Sequence, residues 1–210
     1  AQTTGWYNIG GAIEFNGNYD GAAYLRSLDE AAKRPEDPLS LYLHLPFCLN
    51  RCTFCGCMVI ITKKREVAER YLGYLHRELG LLAAHLGGRR RVVQYHWGGG
   101  TPTYLSPAQM EELHAAVTRH FDVEPGAEAA IEVDPRVTTF EQIGVLRGLG
   151  FNRLSMGVQD FTPEVQRAVN REQGEKETRA LYDHAREQGF LSINVDLIYG
   201  LPKQSVSSFT

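Results

Sequence analysis

The sequence lacks long runs of one residue type, and this excludes several classes of protein. It has no block of five like charges, and its 22 basic and 25 acidic side chains give a net charge of -3. This balance gives no electrostatic reason to expect a nucleic acid or an anionic membrane as a partner. No apolar run approaches the roughly 18 residues of a membrane span, and the N-terminal segment AQTTGWYNIGG lacks the basic and apolar regions of a signal peptide. We therefore expect a cytoplasmic protein.

Cysteine is absent from most of the chain, because all four cysteines lie within ten residues, at Cys48, Cys52, Cys55 and Cys57. Disulfides among them would close very short loops and would stabilise the fold little. A reducing compartment fits this spacing better than an oxidising one. Thiolates crowded in this way are expected to hold a metal ion or a metal cluster.

What the chain does contain is a regular succession of strand and helix patterns. Segments rich in β-branched or aromatic residues predict strands over 41–47, 92–97, 128–133, 152–158 and 191–199. Apolar spacing and end signals predict helices over 24–32, over 65–86, from Ser106 onward, up to Gly150 and over about 175–189. Residues 3–18, rich in glycine, look like a loop or arm. Strand and helix in alternation predict parallel strands with right-handed crossovers.

The predicted strands alternate between apolar and polar residues. The apolar side chains alternate with Tyr42 on the first strand, with Glu132 on the third and with Asp196 on the fifth, where Val195 and Leu197 share the apolar face. A doubly wound sheet would show nearly continuous apolar runs. The pattern favours an α/β partial barrel that encloses a polar ligand. A sheet with one polar face open to solvent is the alternative.

The spacing Cys48-x3-Cys52-x2-Cys55 follows the first predicted strand, at the end where parallel barrels carry their ligand loops. Three thiolates leave one iron of a four-iron cluster open to an exogenous ligand. Cys57 follows Cys55 closely, and we predict that it is not a ligand. A zinc site built from all four cysteines is the alternative, although no second Cys or His pair completes a usual zinc tetrahedron.

Six strings carry a resemblance to a known family: YLHLPFCLNRCTFCGC, HWGGGTPTYL, IEVDPR, NRLSMGVQDF, QRAVNREQ and NVDLIYGLPKQ. Together they resemble the oxygen-independent coproporphyrinogen III oxidases of the radical S-adenosylmethionine (SAM) superfamily. The resemblance implies a radical SAM partial barrel over 39–210, with five βα units of an expected six, preceded by an N-terminal arm and helix over 1–38. We expect the sixth unit and a C-terminal domain to be absent from these 210 residues, and oxidase turnover to be absent from the isolated chain.

The resemblance also implies a set of site residues. The ligands of a 4Fe-4S cluster are Cys48, Cys52 and Cys55. The residues implied to bind a first SAM molecule are Tyr42, Gly99, Gly100, Thr101 and Glu132. The residues implied to bind a second SAM molecule are Phe54, Gln159, Arg171 and Asp196. No side chain is assigned a catalytic role, since the cofactor must break the unactivated C-H bond. Taken alone, Arg171 would be a surface arginine.

The implied activity is the oxidative decarboxylation of two propionates of coproporphyrinogen III, which gives protoporphyrinogen IX in heme biosynthesis. The implied partners are this small-molecule substrate and a reductant protein such as flavodoxin or ferredoxin; we expect a monomer that binds neither nucleic acid nor membrane. Two alternatives stay open, a radical SAM heme chaperone and a non-enzymatic zinc-binding module. One departure from the family is the segment GWYNIGGA, which replaces an R-Y-T-S-Y-P-T-A string.

Overall fold

The computed structural model describes residues 20–209, whose main feature is a parallel sheet of five strands. The elements in chain order are α1 (Gly21–Ala32), β1 (Leu39–Leu45), β2 (Phe47–Cys48), β3 (Ile60–Ile61), α2 (Arg65–Leu86), β4 (Arg91–Gly99), α3 (Pro107–His120), β5 (Asp122–Val133), α4 (Phe140–Gly148), β6 (Arg153–Gln159), α5 (Pro163–Ala168), α6 (Glu175–Glu187), β7 (Ser192–Leu197) and α7 (Val206–Phe209). The sheet order is β1-β4-β5-β6-β7, and β2 pairs with β3 separately. The predicted α/β architecture with parallel strands is confirmed. The arm predicted over 3–18 lies outside the described residues.

Helices α2 and α3 form where the sequence pattern predicts them. Helix α2 runs over Arg65–Leu86 and buries one stripe that includes Leu72, Leu75 and Leu79. Helix α3 begins after Ser106, whose side chain accepts a hydrogen bond from the Gln109 backbone while the Gln109 side chain accepts one from the Ser106 backbone. This reciprocal cap satisfies backbone groups that would otherwise lack partners at the helix start.

The apolar residues of the first four sheet strands form the core beneath the helices. Trp97 on β4 and Ile131 on β5 are both 0% exposed. The predicted apolar face is wrong at β7, where Val195 is 41% and Leu197 54% exposed. Strand β7 is at the edge of the sheet, and within residues 20–209 only Ile193 of that strand packs against the core.

Arg89 ties the first helix to the start of the sheet. Its guanidinium group donates hydrogen bonds to the backbone oxygens of Ala31, Asp37 and Pro38, at 3.0, 3.0 and 3.1 Å. The segment between α1 and β1 is therefore fixed against the turn that follows α2. None of the helices in residues 20–209 is both long enough and apolar enough to cross a bilayer.

Candidate functional site

The cysteine loop leaves the carboxyl end of β1 and is held at both of its ends. Strand β2 pairs with β3, with hydrogen bonds from Ile60 N to Pro46 O at 2.7 Å and from Thr62 N to Cys48 O at 3.1 Å. Further along the loop, Thr53 N donates to Val169 O at 3.1 Å. The loop is thus anchored to the first strand and to the segment that follows α5. The sequence pattern predicts neither β2 and β3 nor α5.

The four cysteines differ in burial and in acidity. Cys52 is buried, Cys48 and Cys55 are half-buried and Cys57 is exposed. Burial raises the pKa of Cys48, whereas a hydrogen bond with Cys57 lowers the pKa of Cys55 to about 6. Within residues 20–209, no three His, Cys, Asp or Glu side chains are grouped tightly enough for a single metal ion. The cysteines of a 4Fe-4S cluster bind different irons, so they need not converge on one point.

A buried group of charges lies beside Cys52. Asp134 forms ion pairs with Arg136 at 2.6 Å and with Arg171 at 3.2 Å. Burial alone would raise the pKa of Asp134, but hydrogen bonds from Arg136 and the charge of Arg171 outweigh it and hold that pKa below its usual value. The reading of Arg171 as a surface arginine is wrong, because its side chain is only 9% exposed.

Sequence reasoning missed Asp134 and Arg136 as site residues. A signal was available, since both directly follow the predicted strand that ends at Val133, inside the string IEVDPR. The carboxyl ends of parallel strands are where such sheets collect their ligand groups.

One face of the sheet packs against the helices; the opposite face is called the inner face below. A polar group on this inner face is formed by Tyr42, His96 and Glu132. The rings of Tyr42 and His96 stack with centroids 5.5 Å apart. His96 Nε2 lies 3.4 Å from a carboxylate oxygen of Glu132, which also accepts the Gly99 N-H at 3.1 Å through its other oxygen. Burial, followed by the charge of Glu132, raises the pKa of Tyr42 to about 12. Tyr42 therefore remains a neutral phenol at physiological pH.

His44 connects this inner face to the cysteine loop. Its Nδ1 lies 3.1 Å from the Tyr42 hydroxyl and its Nε2 lies 2.9 Å from the backbone oxygen of Met58. Sequence reasoning assigned His44 no role in the site. In the structure, its ring links the first strand to the loop that holds the cysteines through one polar contact on each side.

The glycines at the carboxyl end of β4 are required by contacts within the protein. Gly99 has φ +114°, and a Cβ there would lie 2.7 Å from the His44 ring; a Cβ on Gly100 would lie 2.7 Å from the Pro46 backbone. The Gly100 and Thr101 N-H groups donate to Leu45 and Phe47 carbonyls. These glycines bring β4 close to the end of β1, and their N-H groups already have protein partners.

The remaining predicted residues lie at the carboxyl ends of β6 and β7 and in the cysteine loop. Gln159 has φ +70°, an unusual value for a residue with a side chain, and its buried Oε1 has no hydrogen-bond partner among residues 20–209. Asp196 accepts hydrogen bonds from Ser155 at 2.9 Å and Asn194 at 2.5 Å. Phe54 packs against a small apolar cluster that includes Val165. A buried amide oxygen without a protein partner can accept a hydrogen bond from a bound ligand or from water.

The donor set fits an iron-sulfur cluster with a bound organic cofactor. Three thiols lie on one anchored loop, and two guanidinium groups face the buried sulfur of Cys52 at 3.6 and 3.7 Å. Arg136 and Arg171 thus place two N-H donors beside a predicted cluster ligand. Thr101 Oγ1 adds a contact to Cys48 Sγ at 3.5 Å. Next to the loop, a cavity of about 360 Å³ is lined by residues that include Cys48, Thr101 and Arg136.

A parallel sheet with this cysteine loop at its carboxyl end defines the class of protein. The chain belongs to the radical SAM superfamily, whose family model matches residues 42–210. Membership implies a 4Fe-4S cluster and SAM as cofactors.

Among the curated relatives, an oxygen-independent coproporphyrinogen III oxidase of Salmonella typhimurium is 51% identical over 198 residues, and one of Helicobacter pylori is 44% identical over 201 residues. Each alignment covers 94% of this chain. The chain spans 42% and 44% of the length of these two relatives.

Solved structures agree with membership of the radical SAM superfamily. Coproporphyrinogen III oxidase of Escherichia coli, described as a radical SAM enzyme, matches with a TM-score of 0.87 and 51% identity, over 94% of this chain and 45% of that one. A radical SAM methyltransferase of Kitasatospora setae matches with a TM-score of 0.55 and 17% identity, over 80% of this chain and 32% of that one. The second likeness concerns the fold alone.

Proposed function

We propose that this chain performs the cluster and SAM chemistry of an oxygen-independent coproporphyrinogen III oxidase. The reaction is the oxidative decarboxylation of two propionates of coproporphyrinogen III to vinyl groups, in heme biosynthesis. The observation that carries the proposal is the 51% identity over 198 residues to a curated oxidase. The anchored cysteine loop at the carboxyl end of β1 supports the cluster part of the proposal independently.

In this proposal, the chain holds its cofactors through three groups of residues. Cys48, Cys52 and Cys55 bind the 4Fe-4S cluster, and Cys57 does not. The residues that bind the first SAM are Tyr42, Gly99, Gly100, Thr101 and Glu132. The residues that bind a second SAM are Phe54, Gln159, Arg171 and Asp196. The unpartnered Gln159 Oε1 supports the second site, whereas the N-H groups of Gly100 and Thr101 already have protein partners, so these two residues would contact SAM through other atoms.

The cluster and SAM, when bound, supply one-electron chemistry that removes hydrogen from an unactivated carbon. The residues of the chain bind, orient and shield the reactants. Glu132 is suited to accept hydrogen bonds from ribose hydroxyls, because its carboxylate is already oriented by Gly99 and faces the inner side of the sheet. Tyr42 keeps its proton and offers an aromatic face beside the cysteine loop.

Several finer features belong to the same proposal. We infer a monomer that divides into an arm with a helix over 1–38 and the radical SAM unit over 39–210. Its electrons would come from a flavodoxin-like or ferredoxin-like protein, and it would act in the cytoplasm without binding nucleic acid or membrane. The near-neutral charge balance supports the absence of polyanionic partners.

Anaerobic reconstitution of the chain with iron and sulfide tests the cluster assignment. Single alanine variants of Cys48, Cys52 and Cys55 should each lose the cluster signal and most of the bound iron, whereas Cys57→Ala should keep both. Cys57 is a matched control because it belongs to the same loop. An intact 4Fe-4S signal in Cys52→Ala would refute the ligand set, and stoichiometric zinc without iron would favour the zinc-binding module.

A chimera tests the substrate assignment, because the chain spans less than half of its relatives. Residues 42–210 would replace the matching segment of the Escherichia coli oxidase. We expect the chimera to convert coproporphyrinogen III to protoporphyrinogen IX with SAM and dithionite, and its Cys52→Ala form to be inactive. A chimera that assembles its cluster and binds heme but does not decarboxylate the substrate would favour the heme chaperone.

A further inference from the structure

The three predicted cluster ligands have different surroundings, and two guanidinium groups lie next to the sulfur of Cys52. Arg136 Nη2 lies 3.7 Å from Cys52 Sγ, and Arg171 Nη1 lies 3.6 Å from the same sulfur. Both distances suit an N-H donor and a sulfur acceptor. Cys52 is buried, whereas Cys48 and Cys55 are only half-buried, so its hydrogen bonds are shielded from water.

Asp134 fixes both guanidinium groups in this position. Arg136 Nε lies 3.0 Å from Asp134 Oδ1, and Arg136 Nη2 donates to Oδ2 at 2.6 Å, which makes a two-point contact. Arg171 Nη1 donates to Oδ2 at 3.2 Å. Two positive charges and one negative charge therefore lie next to the sulfur, with a net charge of about +1.

The two arginines differ in what else they hold. Arg171 also donates to the carbonyl oxygen of Gly157 at 2.5 Å, and its side chain is 9% exposed. Arg136 is 19% exposed, and within residues 20–209 its side-chain hydrogen bonds go to Asp134 and Cys52. Both arginines contact Cys52 and Asp134, but Arg171 has the additional bond to β6 through Gly157, so a substitution of Arg136 perturbs fewer other contacts.

We propose that Arg136 is a positioning residue that raises the reduction potential of the cluster bound through Cys52. This inference rests on the proposed function, because it requires the cluster. The added electron increases the negative charge on the cluster sulfurs, so an N-H donor and a nearby cation stabilise the reduced form more than the oxidised form. Hydrogen bonds to the sulfurs and local charge are established determinants of iron-sulfur potentials.

An EPR-monitored redox titration of the anaerobically reconstituted chain, with dithionite as reductant, tests this role. The variants are Arg136→Gln, which removes the charge, and Arg136→Lys, which keeps the charge without the planar fork. The control is Arg153→Gln, because Arg153 also pairs with a carboxylate of β5, at 2.8 Å from Glu128, but lies at the amino end of β6, whereas the cysteine loop lies at the carboxyl ends of the strands.

We expect Arg136→Gln to lower the ratio of reduced to oxidised cluster at least tenfold at the wild-type midpoint, a shift of about 59 mV for one electron. The midpoint potential of Arg136→Lys should lie between those of Arg136→Gln and the wild type, and Arg153→Gln should have the wild-type potential. A purely structural role would change the cluster content and leave the potential unchanged.

The other outcomes distinguish a failure of the proposed function from a failure of this inference. If the wild-type chain assembles no cluster, as judged by iron content, the proposed function and this inference both fail. If all variants assemble a cluster and titrate at the wild-type potential, only the inference fails. If Arg136→Gln does not assemble, Arg136→Lys decides: a lowered potential supports the role of Arg136, and an unchanged potential overturns it.

Discussion

The two faces of the sheet are built from neighbouring residues with opposite properties. Trp97 and Ile131 point into the core and are 0% exposed, whereas their sequence neighbours His96 and Glu132 point to the inner face and remain partly exposed. The face that packs against the helices, called the outer face here, is buried and closely packed, so it contributes most of the stability. The inner face holds charged groups that do little for stability, which is expected of a surface built for binding.

The largest effect should come from the outer face. Ile131→Ala removes a fully buried side chain from the central strand β5, and we expect it to lower the free energy of unfolding by about 2–5 kcal/mol. Urea denaturation followed by circular dichroism measures this loss. The adjacent Glu132→Gln, by contrast, should change stability by less than about 1 kcal/mol. Equal losses from both substitutions would remove the distinction between the faces.

An intermediate effect should come from Glu132 itself, in ligand binding. Glu132→Gln replaces a carboxylate acceptor by a neutral amide, and we expect SAM affinity to fall by about tenfold or more. Isothermal titration calorimetry on the reconstituted chain measures it. Glu128→Gln is the matched control, because Glu128 has the same parity on β5 but pairs with Arg153. Affinity that is unchanged in Glu132→Gln would exclude Glu132 from the SAM site.

The smallest predicted effect concerns two aspartates of the inner face, whose pKa values are shifted in opposite directions. Arg136 and Arg171 hold the pKa of Asp134 below its usual value, so its stabilisation is present above the unfolded pKa and is lost as pH falls through the folded one. Burial raises the pKa of Asp196. Ionisation of Asp196 therefore costs more in the folded than in the unfolded chain; the full cost is present above the folded pKa, shrinks as pH falls below that value and is absent once pH is below the unfolded pKa.

Asp196→Asn should consequently stabilise the chain slightly at pH 7, by about 0.5 kcal/mol or less. The gain should disappear in acid, where the wild-type carboxyl is protonated. Urea midpoints of wild type and variant across the pH range check this expectation. A variant that is less stable than the wild type at pH 7 would mean that the hydrogen bonds from Ser155 and Asn194 outweigh the burial of the charge.

The local features of this fold could be predicted from the sequence. Helix α2 has the bounds that its apolar periodicity indicates. The capping pair of Ser106 and Gln109 predicts the start of α3. The alternation of Ile131 and Glu132 gives the correct faces of β5. These features depend on residues a few positions apart, where spacing alone determines which side chains share a face.

Features that depend on distant parts of the chain could not be predicted. Arg136 and Arg171 reach Cys52 across 84 and 119 positions, and no local pattern marks such a meeting. The exposure of Val195 and Leu197 likewise follows from the position of β7 at the sheet edge. Strand alternation predicts two faces, but it does not reveal whether anything covers them.

The bond from Asn170 Nδ2 to the Arg51 carbonyl, at 2.8 Å, has a consequence for synthesis on the ribosome. The two residues are 119 positions apart, and translation adds about 5–20 residues per second. The thiols therefore emerge roughly 6 to 24 seconds before the segment that anchors their loop. A metal ion captured by the nascent chain in that interval would therefore meet a cysteine loop that still lacks this anchor.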